Sequence, residues 1–313
     1  MIKLSNLILE QSNKPKAIVM AGGAGAGKSY LLNQLGLEGL KLYNPDKYVE
    51  DKDHPFFNNL SAASGQVAKD VEAASDSNES FIWDTTAGNP SKVRDLLDKG
   101  YDVFMVMIYT HPMVSFISNF SRERRIPKAS VFSTWKTVYS LIETYKSMLG
   151  ENFTIFVNKR GGEFDKEIDE FNIAASKGAK GIENYLNQYM ENQGGRDAFK
   201  STFSKPFKLD DESDKAFREL AANTSADLDN EATYKTLAKD YKKYQHHYES
   251  GKYGADRIQS NYNKYLATQE KNRQRSLGDL ETIADLLFNP SFIESLNHSE
   301  IKEIDQKIQR FLT

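Results

Sequence analysis

The sequence predicts an α/β fold, with a five-stranded parallel sheet over residues 16–163 followed by an all-helical module over 164–313. Three observations predict it. Short apolar runs alternate with helix-like segments through the first half. A glycine-rich stretch separates the first apolar run from the first helical segment. Beyond about residue 163, no strand pattern recurs.

The elements follow in order. Residues 1–15 read as an N-terminal arm or short helix packed on the domain, with Leu4, Leu7, Ile8 and Leu9 as its apolar patch. Lys16–Ala21 is a buried strand, 28–37 a helix and 40–43 a second strand. The alanine-rich stretch 58–75 is helical, and 80–84 is a third strand. Pro90 opens a helix that Gly100 ends, since proline suits a first turn. Residues 101–109 form a fourth strand, a helix begins at Pro112, another covers 128–149, and 152–157 is the fifth strand. Helices are expected near 167–192, 213–223, 228–249, 254–273, 276–288 and 298–312.

Composition excludes some functions. With no cysteine, there is no disulfide, thiolate nucleophile or cysteine metal site, which fits a reducing, cytoplasmic setting. No apolar run reaches the ~20 residues that span a bilayer, and the N-terminus lacks the pattern of a signal peptide. A net charge of -3 gives no global signal for nucleic acid or membrane.

Gly22, Gly23, Ala24, Gly25, Ala26, Gly27, Lys28 and Ser29 fit G-x-x-x-x-G-K-[ST] at each fixed position, between a strand and a helix. Glycines let backbone N–H groups curl around phosphate oxygens, and the following helix presents its positive end. Lys28 is expected on the β- and γ-phosphates and the Ser29 hydroxyl on magnesium, so ATP and Mg2+ are the expected ligands. Tyr30 adjoins this cradle.

Asp46 follows the second strand, at the carboxyl end of the sheet where ligands bind. It is placed either to take the proton of an attacking hydroxyl or to cap a helix. Asp84 ends the third strand, where an acid holds magnesium or caps a turn. Thr85 and Thr86 can bond phosphate or substrate, or close that turn. Arg122, Arg124 and Arg125 crowd into four residues between the fourth and fifth strands. Such a cluster suits a lid that stabilises transferring phosphoryl charge; an exposed helix end is the alternative. The loop Asn158–Gly162, with Arg160, either borders the nucleotide or is a solvated turn.

Together, GGAGAGKS, the NPD after strand two, the DTTAGNP after strand three and the RERRIP lid resemble the P-loop kinases of the zeta-toxin and polynucleotide-kinase group, over residues 16–162. The resemblance implies a P-loop kinase core. It also implies Asp46 as general base, Asp84 in the acid position of the D-T-N-x-N-P segment, and lid arginines among Arg122, Arg124 and Arg125. His54-Pro55 is similar to the His-Pro that follows the base in many zeta toxins. Where the family often has an arginine shortly after the base, this chain has Lys47, Tyr48 and Val49. Members phosphorylate 5′ ends of DNA or RNA, 5-hydroxymethyluracil in viral DNA, or, for zeta toxins, UDP-N-acetylglucosamine.

The helical half adds a charge signal. Between Tyr234 and Arg275, ten Lys or Arg face four acids. Tyr234, Leu237, Tyr241, Tyr244 and Tyr248 share one helical face, continued by Ile258, Tyr262 and Tyr265. The face is either a packing seam or a platform where tyrosines stack on bases and lysines neutralise phosphates. His246 and His247, being adjacent, make a poor metal pair. The leading expectation is transfer to a nucleic-acid hydroxyl, with DNA favoured over RNA. The alternatives are a kinase of a nucleotide sugar or other small nucleotide, and an assembly protein that holds ATP without transferring phosphate.

Overall fold

The computed structural model describes residues 14–35, 37, 39–57, 59–122, 125–158, 162–195 and 207–297. The N-terminal arm, Arg124, Arg160 and the helix expected at 298–312 lie outside the described residues. The chain divides into two compact units, Met1–Phe203 with Gly278–Thr313, and Ser204–Leu277.

The first unit is built on five parallel strands, β1 (Lys16–Ala21), β2 (Lys41–Tyr43), β3 (Phe81–Asp84), β4 (Asp102–Tyr109) and β5 (Phe153–Val157), in the order β2-β3-β1-β4-β5. The KAIVMA of β1 is buried at all six positions because the strand is central and covered on both faces. Its side chains alternate: Ala17, Val19 and Ala21 enter one core, Ile18 and Met20 the other.

The smaller core lies under α1 (Lys28–Gln34), which contributes Leu31. Against the larger core pack α3 (Leu60–Asp76), α4 (Pro90–Asp98), α5 (Pro112–Phe120), α6 (Lys128–Tyr139), α7 (Ile142–Leu149), α8 (Asp165–Ala175) and α9 (Gly178–Asn192). The short α2 (Pro45–Glu50) is a helix at the place where Asp46 was a candidate cap, with Asp46 inside its first turn and Asn44 as its N-cap. The helix expected over 128–149 is two helices broken at Ser140 and Leu141, and that over 167–192 breaks at Ser176 and Lys177, after which Gly178, at φ 74°, opens α9.

The structure divides differently from the boundary expected at 163/164. Phe171, Ala175, Ile182, Leu186 and Met190 join the core of the sheet, as do Leu280, Ile283, Ala284 and Phe292 from the last helices. The second unit holds α10 (Asp211–Ala221), α11 (Glu231–Lys243), α12 (Gln245–Glu249) and the first part of α13 (Ala255–Leu287), which ends in the first unit; α14 (Pro290–Asn297) follows. The helix expected over 228–249 bends at Tyr244. A straight helix would hold residues seven apart about 10 Å from each other, whereas the bend brings the Tyr241 and Tyr248 rings to 4.9 Å.

Tyr241, Tyr248, Leu237 and Ile258 are the core of this unit, with Tyr234, Tyr244 and Tyr262 packed on it. The tyrosine face is thus a packing seam and not a stacking platform. Among the described residues, no helix is long and apolar enough to cross a membrane.

His111 caps α5. Its Nδ1 accepts from the Met113 N–H at 3.1 Å, and its Nε2 lies 3.0 Å from Asn172 Oδ1. The ring is therefore neutral, with Nε2 as donor, and burial holds its pKa at about 4 against 6.5 for a free histidine. The unfolded chain takes up this proton first as pH falls, so the stability is complete above pH 6.5 and lost between 6.5 and about 4. Urea denaturation should show about 2 kcal/mol less stability at pH 5 than at pH 7 from this residue. His111→Asn, which keeps a cap, should remove that share of the pH dependence. An unchanged profile would place the effect elsewhere.

Candidate active site

The cradle between β1 and α1 is held by close contacts that only glycine permits at two points. Gly25 has φ 77°, and a Cβ there would stand 2.6 Å from the Ser115 carbonyl oxygen; at Gly27, with φ 95°, it would stand 2.7 Å from Asn158 Nδ2. Asn158 closes the loop from the β5 side: its N–H donates to the Tyr109 carbonyl at 2.8 Å and its side-chain amide to the Ala26 carbonyl at 2.9 Å.

Behind the loop, the buried Tyr139 hydroxyl donates to the Ile108 carbonyl at 2.6 Å, and the Trp135 indole N–H donates to the Thr110 carbonyl at 2.9 Å. These bonds fix the cradle's shape from β4, β5 and α6. Sequence reasoning placed the Asn158 loop either beside the nucleotide or as a solvated turn, without its bond to the cradle, and missed Trp135 and Tyr139, because an isolated polar or aromatic residue carries no periodic signal.

Lys28 opens α1 and folds back over the loop. Its Nζ donates to the Gly22 carbonyl at 3.2 Å and lies 3.9 Å from Asp84 Oδ1. Ser29 and Tyr30, one and two positions on, are exposed. Asp84 is buried at the end of β3, and burial raises its pKa above the ordinary carboxylate value. Lys28 and Arg122 oppose that rise, and Asp46 adds to it. Asp46, Asp84, Lys28 and Arg122 therefore act on one locus.

Asn44, which the sequence reading passed over, joins them. It is the N-cap of α2: its carbonyl oxygen accepts from the Asp46 N–H at 2.8 Å, and its NH2 donates to Asp84 Oδ2 at 3.1 Å. One amide thus ties the Asp46 backbone to the Asp84 carboxylate. The capping role that Asp46 could have taken belongs to Asn44, with Pro45 in the first turn. Asn-Pro before an acid was the available signal.

After Asp84 the chain turns sharply. The Thr85 N–H donates to the Met20 carbonyl, the Thr85 hydroxyl accepts from the Ala87 N–H at 3.2 Å, and Ala87 sits at φ 53°, where alanine is strained. The Tyr145 hydroxyl holds it there, donating to the Ala87 carbonyl at 2.7 Å. Thr85 closes this turn and Thr86 stays exposed.

The arginine segment is anchored at its base. Asn119, 1% exposed at the end of α5, accepts from the Ile126 N–H at 3.0 Å and donates to the Ile126 carbonyl at 2.9 Å. This pair closes the loop that carries the arginines. Arg122 is exposed, and the Arg125 guanidinium lies 4.9 Å from the Phe120 ring centre. Asn119→Ala would strip both groups of Ile126 of their partner and should cost about 2–4 kcal/mol of stability. Thermal or urea unfolding measures it, and a loss below half a kcal/mol would mean water replaces the amide.

The residues suit magnesium. Among the described residues, no cluster of three or more His, Cys, Asp or Glu could hold a metal by itself. Magnesium does not need such a cage, since it binds through one or two carboxylates together with water and substrate phosphates. A buried carboxylate whose pKa is raised by burial, at 3.9 Å from the cradle lysine, is that kind of ligand.

The model of the zeta toxin family matches residues 3–130. The matched segment, which is similar to zeta toxins, carries the cradle, Asn44, Asp46, Asp84 and Arg122. No curated protein matches the chain. Solved structures with a similar chain include the AvrRxo1-ORF1:AvrRxo1-ORF2 complex with sulphate ions, at 15% identity and a TM-score of 0.38. The same complex with ATP matches at 16% identity and 0.38. A further match, at 17% identity and a TM-score of 0.37, comes from the PezAT chromosomal toxin-antitoxin system of Streptococcus pneumoniae. Each covers 50% of this chain. This chain spans 58% of the AvrRxo1 chains it matches and 75% of the Streptococcus pneumoniae chain.

Proposed function

We propose that the protein is a kinase that takes ATP with magnesium and transfers the γ-phosphoryl group to a hydroxyl of a small nucleotide, of which a nucleotide sugar is the favoured class. One observation carries the reading: beside the phosphate cradle, Lys28 Nζ lies 3.9 Å from Asp84, and Asn44 ties the Asp84 carboxylate to the Asp46 backbone N–H.

Lys28 and the cradle's N–H groups hold the triphosphate and offset charge on the β- and γ-phosphates. Ser29 and Asp84 would hold magnesium, which neutralises phosphate charge when bound. Asp46 accepts the proton of the acceptor hydroxyl as that oxygen bonds to the γ-phosphorus. The bond from the γ-phosphorus to the bridging oxygen breaks, and ADP leaves with the electron pair. Arg122 faces the charge that spreads over the transferring group.

Two lines of support favour a small acceptor. The family model that matches this segment is that of zeta toxins, and the resemblance implies a nucleotide-sugar acceptor. Of the tyrosines that a nucleic-acid platform would need, Tyr241 and Tyr248 are in the second unit's core and Tyr234, Tyr244 and Tyr262 pack against it, and Arg257 there is bound to Asp240 through two hydrogen bonds of 3.1 Å. One observation keeps a nucleic-acid acceptor as the second reading: Lys264, Lys271, Arg273 and Arg275 are exposed along α13.

Transfer from γ-labelled ATP to a panel of UDP-N-acetylglucosamine, other nucleotides, 5′-hydroxyl DNA and RNA, and 5-hydroxymethyluracil DNA tests both. Label on a nucleotide or nucleotide sugar is expected. Label on DNA or RNA alone would establish the second reading. ATP binding with no acceptor labelled would favour an assembly protein that holds ATP.

A further inference from the structure

We infer that Tyr48 is a positioning residue for Asp46, acting through a clamp that Asp70 and Gln66 complete on α3. The inference rests on the reading of Asp46 as the general base. α2 is only six residues long, and an isolated helix of that length does not hold together in water. Contacts with the rest of the unit must therefore fix where Asp46 stands.

Those contacts lie at both ends of α2. At its start, Asn44 caps the helix and donates to Asp84. That bond alone would leave α2 able to pivot about its first turn. Further along, the Tyr48 hydroxyl donates to Asp70 Oδ2 at 2.7 Å, and the Gln66 side-chain amide donates to Asp70 Oδ1 at 2.8 Å. Both oxygens of the carboxyl group are thus engaged. The bond to Asp70 raises the Tyr48 pKa above that of a free tyrosine, so the hydroxyl stays a donor at neutral pH.

The anchor is firm on the α3 side. Gln66 and Asp70 stand one turn apart on that helix, whose Val67 and Val71 are buried in the larger core. The Tyr48 ring is held as well. It lies 4.7 Å from the His54 ring, tilted by 37°, and 6.5 Å from the Phe56 ring, edge on. His54 Nδ1 accepts from the Phe56 N–H at 3.1 Å, which fixes the His54 ring in turn. Val49, next to Tyr48, is buried. Asp46 stands two residues before Tyr48 in the same turn and a half, so a shift of Tyr48 carries Asp46 with it. Misplacing a reacting group by about 1 Å can cost about 10²-fold in rate. ATP binding belongs to the cradle and α1, so it should be spared.

Tyr48→Phe tests this, since it keeps the ring and removes the hydroxyl. With γ-labelled ATP and UDP-N-acetylglucosamine, or whichever acceptor the panel labels, kcat should fall about 10-fold while KM for ATP stays within about two-fold. In an Asp46→Asn background the same substitution should change the residual rate less than about two-fold, because no base is left to position. Gln66→Ala, which loosens Asp70 without altering α2, should lower kcat about three-fold, and it carries the test should Tyr48→Phe fail to fold. An unchanged kcat in Tyr48→Phe, or in Gln66→Ala where that variant stands in for it, would overturn the inference and leave the kinase reading standing. So would an equal loss in the Asp46→Asn background, which would mean that Tyr48 serves the fold alone. A parent that labels no acceptor would remove the kinase reading, and the positioning role with it.

Discussion

Asp46→Asn should lower the rate of phosphoryl transfer about 10³-fold, within the usual range for a lost general base, while ATP binding stays within a few-fold of the parent. The substitution keeps the backbone N–H that Asn44 caps, and α2 with it. It keeps the side chain's size and removes only its capacity to take a proton. Single-turnover transfer and equilibrium binding of a non-hydrolysable ATP analogue separate the two effects. Equal loss in both measurements would assign Asp46 to nucleotide binding. Asn44→Ala makes a useful companion, since it removes the cap and the bond to Asp84 together and should cost both stability and transfer.

Lys28→Ala should reduce transfer about 10²- to 10³-fold, the range for one preorganised donor to developing charge, and should also weaken ATP binding. Two roles are lost together. The ammonium no longer meets the phosphates, and Asp84 loses the cation that opposes the rise in its pKa. The Asp84 carboxylate then becomes harder to ionise, so higher magnesium should be needed for the remaining activity. Lys28→Arg should not restore the rate, because the planar guanidinium cannot fold back onto the Gly22 carbonyl as the compact ammonium does. A variant with unchanged magnesium dependence would argue that Lys28 and Asp84 act independently.

Much of the first unit was legible because its signals are local and redundant. Six consecutive buried residues in β1, a fixed-spacing glycine loop and a helix behind it agree with one another. The placement of Asp46 just after β2 and of Asp84 at the end of β3 was legible, because a parallel sheet brings its strand ends to one edge. What was not legible depends on contacts distant in sequence. Asn158 reaches Ala26 and Tyr139 reaches Ile108, and no pattern of spacing announces either.

The helical half misled for a related reason. A stripe of tyrosines has the same period whether it faces a core or a nucleic acid, and only the ring of Tyr241 against Tyr248 and Phe217 decides. The division into units was hidden too, because α8, α9 and the last helices carry ordinary amphipathic patterns that do not say which core they join.

The route of the chain also bears on its synthesis. Phe292 sits with its ring 6.1 Å from Trp135 and 5.7 Å from Tyr109, the residues that stand behind the phosphate cradle. On the ribosome, the sheet and cradle emerge first, and the whole of Ser204–Leu277 must be made before Phe292 appears. The aromatic packing behind the glycine loop is thus completed only late in translation, after the loop itself has emerged.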